Sequence, residues 1–209
     1  MIRVLGRATS GNVQKVLFML EELGQKYVRE DYGRQFNNTN TDTYRKMNPN
    51  MKVPTLVVGD LIAWESNTIL RYLAASHNPA LTGATPEEMT YVERWMDWML
   101  AALNTPYLAM FKDAKKPVAE RSADFATQSA DLVAQLKILD EHIAGKSWFA
   151  LNRMTIADIA LAPVVKRCLE FPLERPEFAE LGRWMKAIEA RPAFAVATGA
   201  KPSSLASAA

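Results

Sequence analysis

The spacing of hydrophobic residues in the first part of the chain alternates between strand and helix patterns. Short apolar or alternating runs predict strands over residues 2–5, 27–31, 53–58 and 61–64. Apolar residues at helical spacing predict a helix after the first strand, a short helix around residues 41–47 and another helix after the fourth strand. Gly59 and Asp60 carry turn chemistry, so the last two strands are predicted to form a hairpin. The predicted order is βαβ, then a helix, then ββα.

The rest of the chain shows helical spacing alone. Thr85 is placed to cap a long amphipathic helix that has Pro86 at its first position. Further apolar stripes follow over residues 125–143 and 181–188. The sequence therefore predicts an α/β domain over residues 1–77, a linker over 78–85, an all-helical domain over 86–200 and a loose tail over 201–209.

The amino-acid composition indicates which broad class of protein this chain belongs to. Of 209 residues, 49% are hydrophobic and 23% are charged, which is typical of a folded globular chain. The net charge of +2 is too small to predict nucleic-acid binding, and no run approaches the ~20 apolar residues that span a bilayer. A single cysteine, Cys168, cannot form an intramolecular disulfide and predicts the reducing cytoplasm, without a signal peptide. Neither a metal site nor a nucleotide loop is predicted, because His77, His142 and Cys168 lack ligand spacing and no glycine-rich phosphate motif is present.

Hydroxyl and amide side chains cluster where the first strand joins the first helix. The segment is Thr9-Ser10-Gly11-Asn12. Backbone N–H groups at a helix start lack helical partners and stabilise an anion. If that anion were a thiolate, a hydrogen bond from Ser10 would lower the pKa of the thiol and increase the nucleophile at neutral pH. The alternative is that Ser10 or Asn12 only caps the helix.

Two further passages could bind a peptide-like ligand. A cis bond before Pro54 would present the backbone N–H and C=O of Val53 for pairing with such a ligand, as an added strand would. Glu65 and Ser66, at the next helix start, could hold an ammonium and a carboxylate group respectively. The alternative is an ordinary helix cap followed by a first-turn acid.

Three passages together carry a resemblance to a known family. They are GRATSGNVQKV over residues 6–16, NPNMKVPTL over 48–56 and ESNTILRYL over 65–73. In these passages and in its domain order the chain resembles the glutathione S-transferase family over nearly its whole length. The resemblance implies a thioredoxin-like N-terminal domain (βαβαββα) followed by an all-helical C-terminal bundle. It also implies a cytoplasmic homodimer that acts in detoxification. Arg94 and Asp97 are candidates for the dimer interface, and the alternative is that they lie on a solvated helix face.

The resemblance assigns roles to individual residues. Ser10 would assist the glutathione thiolate, with Asn12 or Thr9 as alternates. Candidates for binding the rest of glutathione are Val53 with Pro54 for the cysteinyl backbone, Glu65 and Ser66 for the γ-glutamyl group, and Gln14 and Lys52 for its polar ends. Met51 stands where the family commonly has glycine, and the first loop has no cysteine, which argues against a mechanism through a protein thiol. Glutathione is thus expected as a co-substrate, with no tightly bound cofactor.

The second domain is expected to supply the electrophile pocket. The resemblance implies that this pocket lies between the domains, and Tyr107, Met110 and Phe111, near a bend at Pro106, are its candidate lining. The alternative is that these side chains belong to the core. Thr155 and Asp158 form a capping box in the sequence, which predicts a structural role for Asp158. Cys168 is predicted to be a small buried thiol, and His77 and His142 are predicted at the surface or at helix ends.

Three functions compete at this point. The first is a glutathione transferase that attacks a small hydrophobic electrophile or a peroxide. The second is a glutathione-dependent disulfide reductase that needs no protein cysteine. The third is a non-catalytic binding or interaction module on the same fold.

Overall fold

The computed structural model describes residues 1–207, so the last two positions of the predicted tail lie outside the described residues. Within them the chain forms two compact units. The sheet unit comprises residues 1–82 together with the chain from Glu189 onward, and the helical unit comprises Gly83–Ile188. The predicted order of strands and helices is confirmed in both.

The elements follow the hydrophobic pattern. In chain order they are β1 (Ile2–Leu5), α1 (Gly11–Glu22), β2 (Tyr27–Glu30), α2 (Asp42–Met47), β3 (Thr55–Val58), β4 (Leu61–Trp64), α3 (Ser66–His77), α4 (Pro86–Trp98), α5 (Asn104–Asp113), α6 (Phe125–Ile143), α7 (Ile156–Glu170), α8 (Ala179–Glu189), α9 (Pro192–Ala197) and β5 (Ala206–Ser207). Short 3-10 turns lie at Arg34–Phe36, Pro79–Leu81 and Val118–Glu120, and a π-helical turn at Met99–Leu103 joins α4 to α5.

The sheet of the first unit is mixed, with strand order β4-β3-β1-β2-β5. β1 is parallel to β2 and antiparallel to β3, and β3 forms the predicted hairpin with β4. Apolar side chains of β1 and α1 are buried together in the core of the unit, among them Val4, Leu5 and Phe18. This is the thioredoxin-like arrangement that the resemblance implied.

The structure divides the C-terminal part of the chain differently from the predicted ranges 86–200 and 201–209. α9 packs against α1 in the sheet unit, where the rings of Phe18 and Phe194 lie 5.1 Å apart edge to face. Arg191 makes a bidentate ion pair with Glu22 at 2.5 and 2.7 Å. Part of the predicted tail is also ordered, because β5 pairs in parallel with β2. These contacts join residues far apart in sequence, so local composition did not reveal them.

A buried carboxylate at the start of α7 is satisfied by hydrogen bonds within the helical unit. The Asp158 carboxylate, at the start of α7, accepts hydrogen bonds from the Phe149 N–H, the Thr155 N–H and the Trp184 indole N–H, at 2.9–3.2 Å. The predicted capping box and the structural role of Asp158 are confirmed. Burial raises the pKa of Asp158 to about 6.

The single cysteine and the two histidines lie in different environments. Cys168 is fully buried in α7, as predicted, and burial raises the pKa of its thiol. His77 is exposed at the end of α3. His142 lies near the end of α6 but is half-buried, with its ring centroid 4.4 Å from that of Trp95. In the described part of the chain, no helix has the length and apolar character that a membrane span requires.

Candidate functional site

The register of the sheet brings the three sequence passages to one end of the sheet unit. Leu5 of β1 lies opposite Thr55 of β3, and Thr55 lies opposite Trp64 of β4. The loop after β1, the Val53-Pro54 step before β3 and the helix start after β4 therefore leave the sheet from the same row. Neighbours in this row lie about 5 Å apart.

Ser10 lies at the N-terminus of α1 with an extended backbone, φ −81° and ψ 125°. Its N–H donates to the Arg7 carbonyl at 3.1 Å, and its carbonyl accepts from the Gln14 N–H at 2.9 Å. Its hydroxyl makes no capping hydrogen bond with the helix, and the residue is only 7% exposed. The capping alternative for Ser10 is therefore absent from the structure, and a hydroxyl donor stays at the positive end of the helix dipole.

The two alternates in the first loop have different environments from Ser10. Thr9 and Asn12 are both exposed, and Asn12 is the second residue of α1. Ser10 alone of the three combines burial with a position at the helix start. The geometry thus favours Ser10 as the group that meets a ligand in a confined space.

The first loop lies directly against Val53. A Cβ added at Gly6 would come within 2.4 Å of Val13 Cγ2 and 3.3 Å of Val53 Cβ, so only glycine fits between α1 and the second passage. The Val53-Pro54 bond is cis, the isomer that the sequence had left open. Among the described residues, neither the N–H nor the C=O of Val53 takes part in a hydrogen bond. Both groups are available to a backbone-like ligand.

Glu65 and Ser66 open α3 at the same end of the sheet. Ser66 is buried, and its hydroxyl makes no hydrogen bond with another described residue. Glu65 is exposed and has φ +67°, a left-handed conformation that is uncommon outside glycine. Asn50 Nδ2 donates to Glu65 Oε1 at 3.2 Å, which joins the second passage to the third. The arrangement offers one carboxylate and one hydroxyl beside a helix N-terminus.

Lys15 is a residue near this site that the sequence reasoning missed. It is buried in α1, and desolvation lowers its pKa to about 7, while the charge of Glu65 opposes this shift. A signal was present, because a lysine stands among the apolar residues of α1 at positions 13–20. Lys15 is therefore close enough to Glu65 for the two side chains to interact electrostatically.

A buried hydrogen-bond network before Val53 was also missed. Tyr44 in α2, Asn48 just after α2 and Thr55 in β3 are all buried polar residues. They surround the carbonyl oxygen of Lys52, which accepts from Tyr44 Oη at 2.9 Å and from Asn48 Nδ2 at 2.7 Å. The asparagine was visible in the second passage, but nothing local indicated its partner in α2.

The other two residues predicted to bind glutathione differ in their exposure to solvent. Lys52 is exposed, whereas Gln14 is buried in α1. Met51, which replaces the family's glycine, has φ +53°. This left-handed conformation explains why glycine suits the position, since a side chain there costs conformational energy.

The predicted electrophile-pocket residues lie on α5 of the helical unit. Tyr107 and Met110 are buried, and Phe111 is partly exposed. The Tyr107 hydroxyl accepts a hydrogen bond from Arg167 at 3.1 Å. Pro106 lies within α5, and the departure from α-helical geometry is the π-helical turn Met99–Leu103 that precedes it. Tyr107 and Met110 therefore pack in the core of this unit, and their place in a pocket stays a prediction.

Comparison with known proteins agrees with this geometry. Residues 2–75 match the family model for the N-terminal domain of glutathione S-transferases, and residues 95–192 match that for the C-terminal domain. The glutathione S-transferase GstB of Escherichia coli K12 is 34% identical over 200 residues, covering 92% of this chain and 95% of that protein.

Solved structures give the same result. A theta class glutathione S-transferase from Xanthomonas axonopodis pv. citri, with glutathione bound, is 35% identical with a TM-score of 0.89 and covers 97% of this chain and 99% of that one. A glutathione S-transferase from Pseudomonas fluorescens is 25% identical with a TM-score of 0.83, covering 92% and 96%. The similarity extends across both units of the chain.

Proposed function

The chain belongs to the glutathione S-transferase family and is a glutathione transferase, and from that premise we propose that glutathione binds at the end of the sheet unit described above. The sulfur lies at Ser10, the cysteinyl backbone pairs with Val53 beside Pro54, and the γ-glutamyl group is held by Glu65 and Ser66. The observation that carries the proposal is the convergence of these three segments on one row of the sheet. Each segment also brings polar groups without intramolecular partners.

Ser10 activates the thiol by hydrogen bonding and does not form a covalent bond. Its hydroxyl donates to the glutathione sulfur, and the α1 dipole favours the negative charge there. Lowering a thiol pKa by about two units, which corresponds to about 2.7 kcal/mol, leaves mostly thiolate at neutral pH. The thiolate electron pair then forms a bond to an electrophilic carbon, whose leaving group departs with its bonding pair. No protein cysteine is assigned a role in this step, since the first loop has none and Cys168 is buried in α7.

The remaining contacts select glutathione among thiols. The N–H and C=O of Val53 pair with the cysteinyl backbone, as an added strand does at a sheet edge. The Glu65 carboxylate attracts the γ-glutamyl ammonium, and Ser66 with the α3 N-terminus holds the γ-glutamyl carboxylate. Lys52 is exposed and can reach a glutathione carboxylate, whereas Gln14 is buried and contributes less directly.

The partners proposed are a small hydrophobic electrophile and a second copy of the chain. Tyr107, Met110 and Phe111 remain the residues proposed for the electrophile. For the dimer, the edge strand β4 exposes the large apolar side chains of Leu61, Ile62 and Trp64, which a second copy would cover. Sedimentation velocity of the full chain tests this. The reducing cytoplasm is the compartment that suits a thiol co-substrate.

Glutathione titration calorimetry, combined with an ultraviolet thiolate difference spectrum, tests the proposed function. In Ser10→Ala we expect glutathione binding to persist while the thiolate absorbance at neutral pH is largely lost. In Ser66→Ala we expect about tenfold weaker binding, because a hydrogen bond to a charged group is removed. Ser76→Ala, an exposed position of the same helix as Ser66, is the matched control and should change neither signal.

Two results would contradict the proposal. The first is no binding of glutathione by the wild-type protein up to millimolar concentration. The second is an unchanged thiolate spectrum in Ser10→Ala, which would transfer the role to another group of the first loop.

A further inference from the structure

The hydrogen-bond network around the Lys52 carbonyl is closed. The single proton of the Tyr44 hydroxyl is donated to the Lys52 oxygen, so Thr55 Oγ1, 2.9 Å from Tyr44 Oη, donates to Tyr44. Asn48 Nδ2 uses its two protons on the Lys52 oxygen and on Thr55 Oγ1, at 2.7 and 3.0 Å. Asn48 Oδ1 accepts from the Asn50 N–H at 3.0 Å. Both lone pairs of the Lys52 carbonyl are thereby occupied, and its direction is fixed from the protein interior.

The Lys52 carbonyl and the Val53 N–H belong to the same peptide group. This group is trans, since the cis bond follows Val53. A trans peptide is planar, and its C=O and N–H point in opposite directions. Fixing the carbonyl toward Tyr44 and Asn48 therefore directs the Val53 N–H away from the interior, toward the partly exposed side of Val53.

None of the three network side chains can touch a ligand directly. Tyr44 is 1% exposed and Thr55 is 0% exposed, and Asn48 is also buried. Burial raises the pKa of Tyr44, so its hydroxyl remains a proton donor across the neutral range. Any effect of these residues on binding must pass through the Lys52-Val53 peptide.

We propose that Tyr44 and Asn48 are positioning residues for glutathione, which aim the Val53 N–H at the cysteinyl carbonyl by holding the opposite end of its peptide group. The inference rests on the proposed function, because it gives that N–H a ligand. Without the two hydrogen bonds, the peptide plane can rotate, and the N–H must be reoriented each time glutathione binds. Binding weakens even though no contact residue has changed.

The test compares two tyrosine-to-phenylalanine variants of the full chain. Tyr44→Phe removes one hydrogen bond to the Lys52 oxygen. Tyr27→Phe is the matched control, because Tyr27 is 3% exposed in the same unit and its hydroxyl donates to Glu21 at 2.8 Å, away from Val53. We expect Tyr44→Phe to weaken glutathione binding by about three- to tenfold in calorimetry, the range for loss of one hydrogen bond, while Tyr27→Phe leaves it unchanged.

A spectroscopic readout separates positioning from loss of stability. In protein labelled with ¹⁵N-valine, the Val53 amide signal, assigned by its absence in Val53→Ile, should move in Tyr44→Phe and remain in place in Tyr27→Phe. This NMR measurement is made without glutathione. Thr55→Val, which keeps the strand shape and removes the hydroxyl that Tyr44 and Asn48 share, should shift the same signal by a smaller amount. It replaces Tyr44→Phe if that variant fails to fold.

The possible results test the positioning role of Tyr44 and Asn48 separately from glutathione binding itself. The inference is overturned if Tyr44→Phe and Tyr27→Phe change the glutathione affinity equally, or if the Val53 amide signal does not move. In either case, binding of glutathione by the wild-type protein still supports the proposed function. Failure of the wild-type protein to bind glutathione contradicts the proposed function. It then also contradicts the positioning role of Tyr44 and Asn48. Weaker binding in Tyr44→Phe alone, together with a displaced amide signal, supports both.

Discussion

The N-terminal ends of α1 and α3 differ from the N-terminal end of α7 in what their polar side chains contact. Ser10 and Ser66 begin their helices with hydroxyl groups that bond to no helix N–H. At α7 the side chains of Thr155 and Asp158 bond to each other, and Asp158 also takes donors from Phe149 and Trp184. The polar side chains at the α7 start are therefore paired within the fold, whereas the hydroxyls of Ser10 and Ser66 make no hydrogen bond with another described residue.

This difference separates a structural helix cap from a candidate binding site. Both kinds of helix start are buried and polar, so burial does not distinguish them. What distinguishes them is whether the buried group has a partner inside the chain, because an unpaired buried polar group costs stability unless something else satisfies it. Variants at the two kinds of site should therefore separate stability from binding.

The largest effect is expected for Asp158→Ala. Removing the carboxylate leaves buried donors of Phe149, Thr155 and Trp184 without an acceptor, and we expect the free energy of unfolding to fall by about 3 kcal/mol or more. Urea denaturation measures it, and Asp131→Ala, an exposed acid of α6, is the control. The glutathione affinity of the folded protein should not change, and a selective loss of affinity would place Asp158 in the binding machinery instead.

The pH dependence of stability should show a smaller effect at the same residue. The pKa of Asp158 is about 6 when folded, above its ordinary value of 3.8, so the protonated carboxyl stabilises the folded state fully below pH 3.8. This contribution is lost as pH rises through about 6. Between pH 4 and 7 we expect the difference in unfolding free energy between wild type and Asp158→Asn to change by about 2 kcal/mol. A difference that does not vary with pH would refute the raised pKa.

Met51→Gly should stabilise the sheet unit. Glycine adopts the φ of +53° without the steric cost that methionine pays there, although it also gains freedom in the unfolded chain. We expect the free energy of unfolding to rise by up to about 1 kcal/mol. Thermal denaturation measures it, with Met89→Gly in α4 as the contrasting case, which should lose stability. A loss in Met51→Gly would mean that packing of the methionine outweighs its backbone conformation.

The smallest effect is expected for the stability of Ser10→Ala and Ser66→Ala. Since neither hydroxyl caps its helix, removing it should change the unfolding free energy by no more than about 0.5 kcal/mol. Urea denaturation without glutathione is the measurement. A loss of about 1 kcal/mol or more, typical of a removed helix cap, would erase the distinction between these two helix starts and that of α7.

The order of strands and helices and the candidate residues of the site could be predicted from local sequence alone. The spacing of apolar residues specified the order of strands and helices, because that spacing follows from the geometry of each element. The motifs at residues 6–16, 48–56 and 65–73 identified Ser10, Val53 and Glu65 as candidates. The capping box at Thr155 was equally clear, since its two members are three residues apart.

The internal hydrogen-bond partners of each helix start, and the network that holds the segment before Val53, depend on the tertiary fold. Local sequence favoured a cap at Ser10, and only the folded chain shows that its hydroxyl caps nothing. The network behind Val53 joins α2 to β3, and α9 with β5 returns to the sheet unit. Each of these contacts depends on register and packing between segments that are separated along the chain, and local propensities carry no information about such pairings.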